Sequence, residues 1–152
     1  MDFDILPKTF QDAITVTRSL GKRYLWIDSL CIIQYEDGLK DWEKESGRIG
    51  SVFGNAYCTI TATSAKDSTV GFLERNVRSD FFKIEESRYR SLYLSSVINY
   101  YGQDVEKGAL NERAWVLQER ALSRRTIHFT QNQAYFECGD GVRYKTLTRM
   151  RK

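Results

Sequence analysis

The position best suited to chemistry is Glu45, an acid on the apolar face of a predicted helix. Placed at about 100° per residue, the apolar side chains of residues 41–56 fall within one arc of roughly 120°, and Glu45 lies inside it, three residues after Trp42. An unpaired carboxylate is costly to bury, so this position needs a reason. Glu45 either anchors a buried ion pair or hydrogen bond, or lines a cleft for acid/base or electrostatic work. The partners available to an anchor are Arg113, Arg120 and the Ser46 hydroxyl.

Asp28 is a second acid in an apolar setting, because it ends the run from Tyr24 to Ile27. In a parallel sheet, ligands bind beyond the carboxyl ends of the strands, where an acid can hold a hydroxyl-bearing ligand. Asp28 can equally form a turn by accepting hydrogen bonds from the backbone of Ser29 and Leu30. The sequence favours the turn.

A crowded helix is predicted over residues 110–122, with apolar residues on two sides. Leu117 belongs to one stripe, whereas Trp115 and Leu122 lie on another side, so the helix is predicted to be wedged between two layers. Its polar residues then either brace a buried helix or, where they are arginines, bind a phosphate or carboxylate. The polar residues concerned are Arg113, Gln118 and Glu119, with Arg125 as a second arginine that could take the ligand.

Signatures of other chemistries are absent from the sequence. It has no GxGxxG, GxxxxGKS/T or GxSxG motif, and no histidine close to a nucleophile candidate. His128, the one histidine, lies in an apolar strand and is interpreted as a core residue. The three cysteines form no CxxC pair, which argues against a structural zinc site, and their odd number favours small buried thiols in the reducing cytoplasm. No bound metal or cofactor is therefore predicted from the residues.

The composition predicts one soluble, globular, intracellular domain. The 152 residues are 41% hydrophobic and 28% charged, with a formal net charge of +3. No apolar stretch approaches the roughly 20 residues of a membrane span, and the first residues lack the basic region of a signal peptide. The charge is too balanced to indicate nucleic acid. The basic residues within 143–152 are interpreted as a flexible tail, with a contact to nucleic acid or acidic lipid as the alternative.

The elements that must position these residues alternate between helix and strand. Helical spacing, with Pro7 in the first turn and Gly21 just past the end, predicts a helix over residues 7–20. The apolar run 23–33 is typical of a central strand buried on both faces. After the predicted helix that carries Glu45, the β-branched stretch 57–63 is predicted to be the next strand. A strand, a helix and a strand predict a βαβ unit with a right-handed crossover.

The second half of the chain is predicted to be antiparallel. Residues 81–85 and 91–95 have the pattern of two strands of a hairpin, and 126–129 and 133–138 are predicted to pair as another. The predicted class is α/β, a mostly parallel sheet flanked by helices, with antiparallel hairpin additions toward the C-terminus.

Three stretches of the chain resemble the heterokaryon-incompatibility (HET) family of filamentous fungi. The first contains LPKTFQDAI at 6–14 and YLWIDSLCIIQ at 24–34. The second runs from DWEKE at 41–45 through FGNA at 53–56. The third, RAWVLQERALSRR at 113–125, is long and specific. The resemblance therefore covers most of residues 6–138. The positions of these motifs that we interpret as structural are Trp26, Trp115, Gln118, Glu119 and Arg125.

The resemblance implies a module of heterokaryon incompatibility, in which fusion of unlike hyphae triggers programmed cell death. The family looks distantly similar to TIR domains, which have a flavodoxin-like α/β fold. Some TIR domains cleave NAD⁺ with a helix glutamate that follows a tryptophan, and Trp42 followed by Glu45 is similar to that arrangement. The resemblance thus implies Glu45 as the catalytic residue, NAD⁺ as the substrate, and Asp28, Trp42 and Arg113 as ligand-binding residues.

The same resemblance leaves a second function open, a non-enzymatic module that transmits the death signal through self-association or other protein partners. Two features depart from the family pattern. The strand and loop that normally precede the helix at 6–14 are missing, so the first strand of a TIR-like sheet and part of its nucleotide cleft are expected to be absent. Tyr35 stands in the stretch after YLWIDSLCIIQ where an acid is common.

Overall fold

The computed structural model of the chain describes residues 2–33, 39–74, 81–86, 91–95, 101–107 and 114–144. Within them the chain forms helices, an open four-stranded sheet and a separate two-stranded sheet. The helices are α1 Lys8–Ser19, α2 Asp28–Cys31, α3 Lys40–Ser46, α4 Ile49–Asn55 and α5 Ala114–Leu122, with a 3-10 turn Phe3–Ile5 and a π-helical segment Gly102–Glu106. The strands are β1 Thr59–Thr61, β2 Phe81–Glu86, β3 Ser91–Ser95, β4 Arg125–Phe129, β5 Ala134–Cys138 and β6 Gly141–Tyr144.

Helix α1 begins and ends where the sequence predicts. Pro7 occupies the position before its first residue, where a missing backbone N–H costs nothing. At the other end, Gly21 adopts φ +67°, its N–H donates to the Arg18 carbonyl, and the Lys22 N–H donates to the Thr17 carbonyl. This is a Schellman cap, which needs a left-handed residue and so favours glycine.

The four-stranded sheet has the order β1-β4-β5-β6. Strand β1 is parallel to β4, with Thr59 opposite Thr126, whereas β4, β5 and β6 are antiparallel neighbours. The two predicted hairpins, β2–β3 and β4–β5, are confirmed. The prediction of a mostly parallel sheet is wrong for the described residues, because among them β1 and β4 are the one pair of strands that runs parallel. Strand β6 was not predicted; it contains Arg143, which had been assigned to a flexible tail, and residues 145–152 lie outside the described part of the chain.

The predicted strand at 23–33 is wrong. The backbone is extended up to Ile27, but none of the strands in the described ranges lies beside it, and the helix α2 begins at Asp28. A strand is stable only when a neighbour accepts its backbone hydrogen bonds. The βαβ unit therefore does not form as predicted, since the parallel partner of β1 is β4, which comes later in the chain.

The predicted helix at 41–56 is two helices, α3 and α4, separated by Gly47 and Arg48. Gly47 weakens a helix interior, and the Arg48 N–H turns back to the Glu45 carbonyl at 2.9 Å, which ends α3. The two helices do not share one continuous face. The apolar arc that singled out Glu45 therefore applies to α3 alone.

One face of the four-stranded sheet is apolar and packs against α1. Its core contains Ala13, Val16, Phe72 and Phe129, and the rings of Phe72 and Phe129 lie 4.9 Å apart. A buried acid of α1, Asp12, accepts hydrogen bonds from the backbone N–H groups of Phe72 at 2.8 Å and Leu73 at 3.0 Å. These bonds fasten the loop after β1 to α1.

The opposite face of this sheet is polar along β1 and β4, where it lies under α5, whereas Tyr135 of β5 and Val142 of β6 form an apolar cluster there with Tyr101 and Val105. Helix α5 turns Val116, Glu119 and Arg120 toward the strands, and the hydroxyl of Ser123, the residue after the helix, lies 2.6 Å from that of Thr59. Helix α4 lies along one side of α5, next to Leu122, and the remaining side faces solvent, so the predicted burial of α5 between two layers is wrong: Trp115 is 63% exposed. The reason is that α5 turns Glu119 and Arg120, together with Val116, toward the sheet and keeps its larger apolar side chains, Trp115 and Leu117, outside. No helix of the described segments combines the length and the hydropathy needed to cross a bilayer.

Candidate functional site

Glu45 lies in the second half of α3 and is held by cations of its own segment. Arg48 Nη1 donates to Glu45 Oε1 at 2.8 Å, and Lys44 Nζ lies 3.9 Å from the same oxygen. The Glu45 side chain keeps 19% of its surface exposed. The anchor expected from Arg113, Arg120 or Ser46 is therefore wrong for the two described candidates, because the Ser46 hydroxyl donates to the Glu43 carbonyl and Arg120 binds elsewhere.

The other predicted ligand residues make no polar contact with the Glu45 carboxylate in the described part of the chain. Asp28 is exposed in the first turn of α2, where its Oδ1 accepts the Ser29 N–H at 2.7 Å, which fits the turn. Trp42 is on the surface of α3, and Arg113 lies outside the described residues. Among the residues in the described ranges, no hydrogen bond or ion pair joins Asp28 or Trp42 to Glu45.

The motif residues interpreted as structural divide into packed and exposed positions. Trp26 is half-buried and meets the Phe53 ring edge-on at 5.8 Å. Glu119 lines the space between α5 and the sheet, whereas Gln118 and Trp115 face outward. The exposed guanidinium of Arg125 donates to the Tyr57 carbonyl at 2.9 Å.

A hydrogen-bonded network on the polar face of the sheet was missed by the sequence analysis. The Thr61 hydroxyl lies 3.1 Å from His128 Nδ1, and His128 Nε2 lies 3.0 Å from Glu137 Oε2. Because a carboxylate only accepts, Nε2 carries the proton toward Glu137. Arg120 grips the same carboxylate with Nε at 2.7 Å and Nη2 at 2.8 Å, and Nη2 also donates to the Tyr101 oxygen at 2.6 Å.

The titration of the network follows from these contacts. Burial acts to raise the pKa of Glu137, but the hydrogen bonds from His128 and Arg120 outweigh it and lower the pKa from 4.5 to about 2. The bond to Glu137 raises the pKa of Arg120 in turn. Burial, reinforced by the Glu137 charge, raises the pKa of the Tyr101 hydroxyl. The network therefore holds a fixed ion pair and a neutral phenol at neutral pH.

The line from Thr61 through His128 to Glu137 has the connectivity of a nucleophile, a base and an orienting acid. The sequence had indicated no histidine near a nucleophile candidate, and the structure corrects this. The surroundings nevertheless favour a structural role. His128 is 2% exposed, as expected for a core histidine, and the adjacent cavity encloses about 10 Å³, the space of a single water. A substrate does not fit beside Thr61 in this conformation.

Strand alternation is the signal that could have found the network. Thr59, Thr61 and Thr63 alternate along β1 and its extension and line the cavity together. In β4 the alternating residues are Thr126 and His128, which face the same way in register with β1. A polar residue at every second position of two β-branched runs predicts a polar sheet face. The partners on α5 and β5 are not encoded by that pattern.

The described ranges contain no candidate metal site, because no three His, Cys, Asp or Glu side chains cluster in them. The three cysteines are unpaired, and Cys31 is exposed, which corrects its interpretation as a buried strand residue.

Comparison with known proteins gives one match. The model of the family described as heterokaryon incompatibility protein (HET) matches residues 2–119, which is most of the chain. The search of curated proteins and the search of solved structures found no match. His128 and Glu137 lie beyond the matched residues, whereas Glu45, Asp28 and Trp42 lie within them.

Proposed function

Because the chain belongs to the heterokaryon incompatibility protein (HET) family, we propose that it is a cell-death signalling module that acts by associating with a second copy of itself. The proposal puts the module in the cytoplasm, a reducing compartment that fits its three unpaired cysteines.

The observation that carries this proposal is the outer face of α5. Trp115 is 63% exposed and Leu117 is 64% exposed, on a helix of nine residues. The two side chains lie at opposite edges of the solvent-facing side of the helix, with Ala121 and Leu122 between them, and exposed apolar surface of this kind usually marks an interaction site. The other outward residues, Gln118, Ala121 and Leu122, carry no charge, whereas the charged Glu119 and Arg120 lie toward the sheet. We call this neutral surface the α5 face.

A second copy is the occupant that this neutrality favours. A two-fold pair places the same patch of each molecule against the other, and an uncharged patch can do so without like-charge repulsion. The α5 face offers no charge that would select an acidic or a basic partner. Nine residues of helix extend about 14 Å, so the patch is smaller than the roughly 800 Å² per partner of a standard interface. The association is therefore expected to be weak and concentration-dependent.

Sedimentation velocity of the 152-residue chain tests this function. The wild-type chain is expected to shift from monomer to dimer as concentration rises to about 1 mM, a range suited to weak interfaces. The double variant Trp115→Ser, Leu117→Ser should stay monomeric with an unchanged melting temperature. The matched control, Val70→Ser, removes an exposed apolar side chain next to α1, on the other side of the sheet, and should dimerise like the wild type.

Two results would count against self-association. One is a wild-type chain that remains monomeric throughout this range, and the other is a double variant that dimerises as readily as the wild type.

A second candidate function, NAD⁺ cleavage, is favoured by the fixed carboxylate of Glu45. Arg48 Nη1 lies 2.8 Å from Glu45 Oε1 and fixes the carboxylate. Glu45 itself follows Trp42 by about one helical turn. In this reaction the bond between ribose and nicotinamide breaks, nicotinamide leaves with the electron pair, and water adds to the ribose carbon with loss of a proton. Glu45 would stabilise the positive charge that develops on the ribose, with Asp28, Trp42 and Arg113 positioning the ligand.

The pair Glu45→Gln and Glu43→Gln tests this candidate, since Glu43 is an exposed acid on the same helix. Chromatography of NAD⁺ incubated with each protein should show slow loss with the wild type and Glu43→Gln, and none with Glu45→Gln. Unchanged turnover in Glu45→Gln would remove this residue from the reaction. A lower melting temperature without any wild-type turnover would mark Glu45 as a structural residue.

A further inference from the structure

A basic surface with two tyrosines lies where α1 ends and where β1 and β4 begin. Lys22, Arg23 and Tyr24 follow the glycine cap of α1, Tyr57 lies just ahead of β1, and Arg125 is the first residue of β4. We call these five residues the basic edge. None of them takes part in the network under α5 or contacts Glu45.

Contacts around Tyr57 hold the basic edge together. Lys22 Nζ lies 3.6 Å from the centroid of the Tyr57 ring, and the Arg125 guanidinium carbon lies 5.3 Å from the same centroid. Arg125 also donates to the Tyr57 carbonyl. Burial raises the pKa of the neighbouring Cys58 thiol, and the charges of Arg125 and Lys22 act against this rise. Two positive charges that are distant in sequence are therefore concentrated at one place.

The charge of the basic edge is not neutralised by acids of the described residues. Lys22, Arg23 and Arg125 are all exposed, and none forms an ion pair with a carboxylate in the described part of the chain. Arg48 and Arg120, by contrast, are each paired with a glutamate. Uncompensated cations on one surface create a positive potential that attracts polyanions.

We propose that the basic edge binds single-stranded nucleic acid. Its three cations would contact backbone phosphates, and Tyr24 would stack on a base. Tyr24 is 85% exposed, and the Arg23 guanidinium lies over its ring at 5.7 Å, which supports the ring as a flat platform. Cations beside an exposed aromatic ring are the combination that single-strand binding uses. An acidic peptide or a lipid headgroup would use the cations and leave Tyr24 without a role.

The salt dependence of binding gives the proposal a quantitative form. Each phosphate contacted on a single strand contributes about 0.7 to the slope of log affinity against log salt, so three contacts predict a slope of about −2. Sequence preference is expected to be weak, because every base has a face on which a ring can stack.

Fluorescence anisotropy of a labelled oligo(dT) of about 12 nucleotides, titrated with the 152-residue chain at several salt concentrations, tests the proposal. The double variant Lys22→Gln, Arg23→Gln should reduce the slope to about −0.7. Tyr24→Ala should weaken binding at least fivefold. Arg125 is left intact because it also holds the Tyr57 backbone. Circular dichroism melts confirm that each variant is folded.

The matched control is Lys66→Gln, an exposed lysine in the loop that contacts the opposite end of α1 through Thr9. It removes one positive charge, as each substitution of the double variant does, about 18 Å away along a helix of 12 residues, and it should leave affinity and slope unchanged. Inorganic polyphosphate and phosphatidylserine vesicles serve as anions without bases. The proposal is overturned by equal or tighter binding of either competitor, by unchanged oligonucleotide affinity of Tyr24→Ala, or by no binding in about 50 mM salt.

Discussion

The two faces of the four-stranded sheet are joined to their helices by different kinds of interaction. Toward α1, the sheet presents Ile60, Ile127 and Phe129, which pack into an apolar core. Toward α5, the alternate positions present threonines and His128, which pair with polar groups of the helix. The register of β1 and β4 places like residues side by side, so each face is uniform along both strands.

This difference separates two sources of stability in one small sheet. An apolar face depends on close packing. Truncating a buried side chain there lowers the free energy of unfolding in proportion to the volume of the cavity that it leaves. A polar face is stable only when every donor and acceptor is paired, so the loss of one group penalises its neighbours as well. Substitutions on the two faces should therefore differ in size, in additivity and in their response to pH.

The largest effect is expected on the apolar face from Phe72→Ala. Phe72 is 1% exposed and lies against Phe129, so its truncation leaves a cavity and should lower the free energy of unfolding by about 3–5 kcal/mol. Urea denaturation measures this loss. Phe72→Leu fills most of the cavity and should lose about half as much. A loss below about 1 kcal/mol for the alanine variant would show that this face is not closely packed.

On the polar face, Glu137→Gln is expected to cost about 2–3 kcal/mol, because it leaves Arg120 partly buried without its ion pair. A double-mutant cycle with Arg120→Met distinguishes the two faces. Removal of both partners should cost less than the sum of the single losses by more than about 1 kcal/mol. Strictly additive losses would mean that the pair is solvated and contributes little.

The Glu137 carboxylate should give substitutions on the polar face a response to pH of their own. Glu137 has its pKa lowered from 4.5 to about 2 by its partners, so it adds stability that is fully present above pH 4.5 and is lost as the pH falls toward 2. The stability gap between the wild type and Glu137→Gln should therefore be widest near neutral pH and should narrow below pH 4.5. The lowered pKa of Asp12 acts in the same range, but it is common to both proteins and cancels in the difference. Urea denaturation of both proteins across this range measures the gap, and a constant gap would contradict the assignment.

The smallest of these effects is expected at the loop that Asp12 holds on the apolar face. A Cβ added at Gly71 would lie 2.8 Å from Asp12 Oδ2, which cannot move without releasing the backbone of Phe72 and Leu73. Gly71→Ala should cost about 1–2 kcal/mol. At Gly139 an added Cβ meets nothing within 4 Å, so Gly139→Ala is the matched control and should be neutral or slightly stabilising. Equal melting temperatures for the two variants would show that the loop can shift.

Elements whose ends or turns are encoded locally were predictable from the sequence. The cap residues Pro7 and Gly21 delimit α1, and the apolar and aromatic runs on either side of residues 130–133 give the β4–β5 hairpin. The extended stretch before Asp28 was not predictable as a non-strand, because strand pairing depends on a neighbour that no local pattern specifies. The break at Gly47 was a local signal, and the apolar spacing on both sides of it obscured it.

The candidate site was less predictable than the fold. Helical spacing singled out Glu45, but its partner, Arg48, lies outside the apolar arc. The network under α5 joins Arg120 to Glu137, which are 17 positions apart, and helical periodicity contains no information on such a pair. The orientation of α5 also depended on tertiary structure, since its polar side could be placed only once the opposing sheet face was known to be polar.

The parallel pairing of β1 with β4 has a consequence for how the chain folds during synthesis. Thr61 and His128 are 67 positions apart, so β1 emerges from the ribosome long before the strand that it needs. Strands β4, β5 and β6, in contrast, follow one another closely and can form from local contacts. Closing the long loop between β1 and β4 carries an entropic cost. Contacts with the hairpins of β4, β5 and β6 offset this cost, so these strands must form first. The sheet is therefore expected to grow from its C-terminal strands, with β1 docking last.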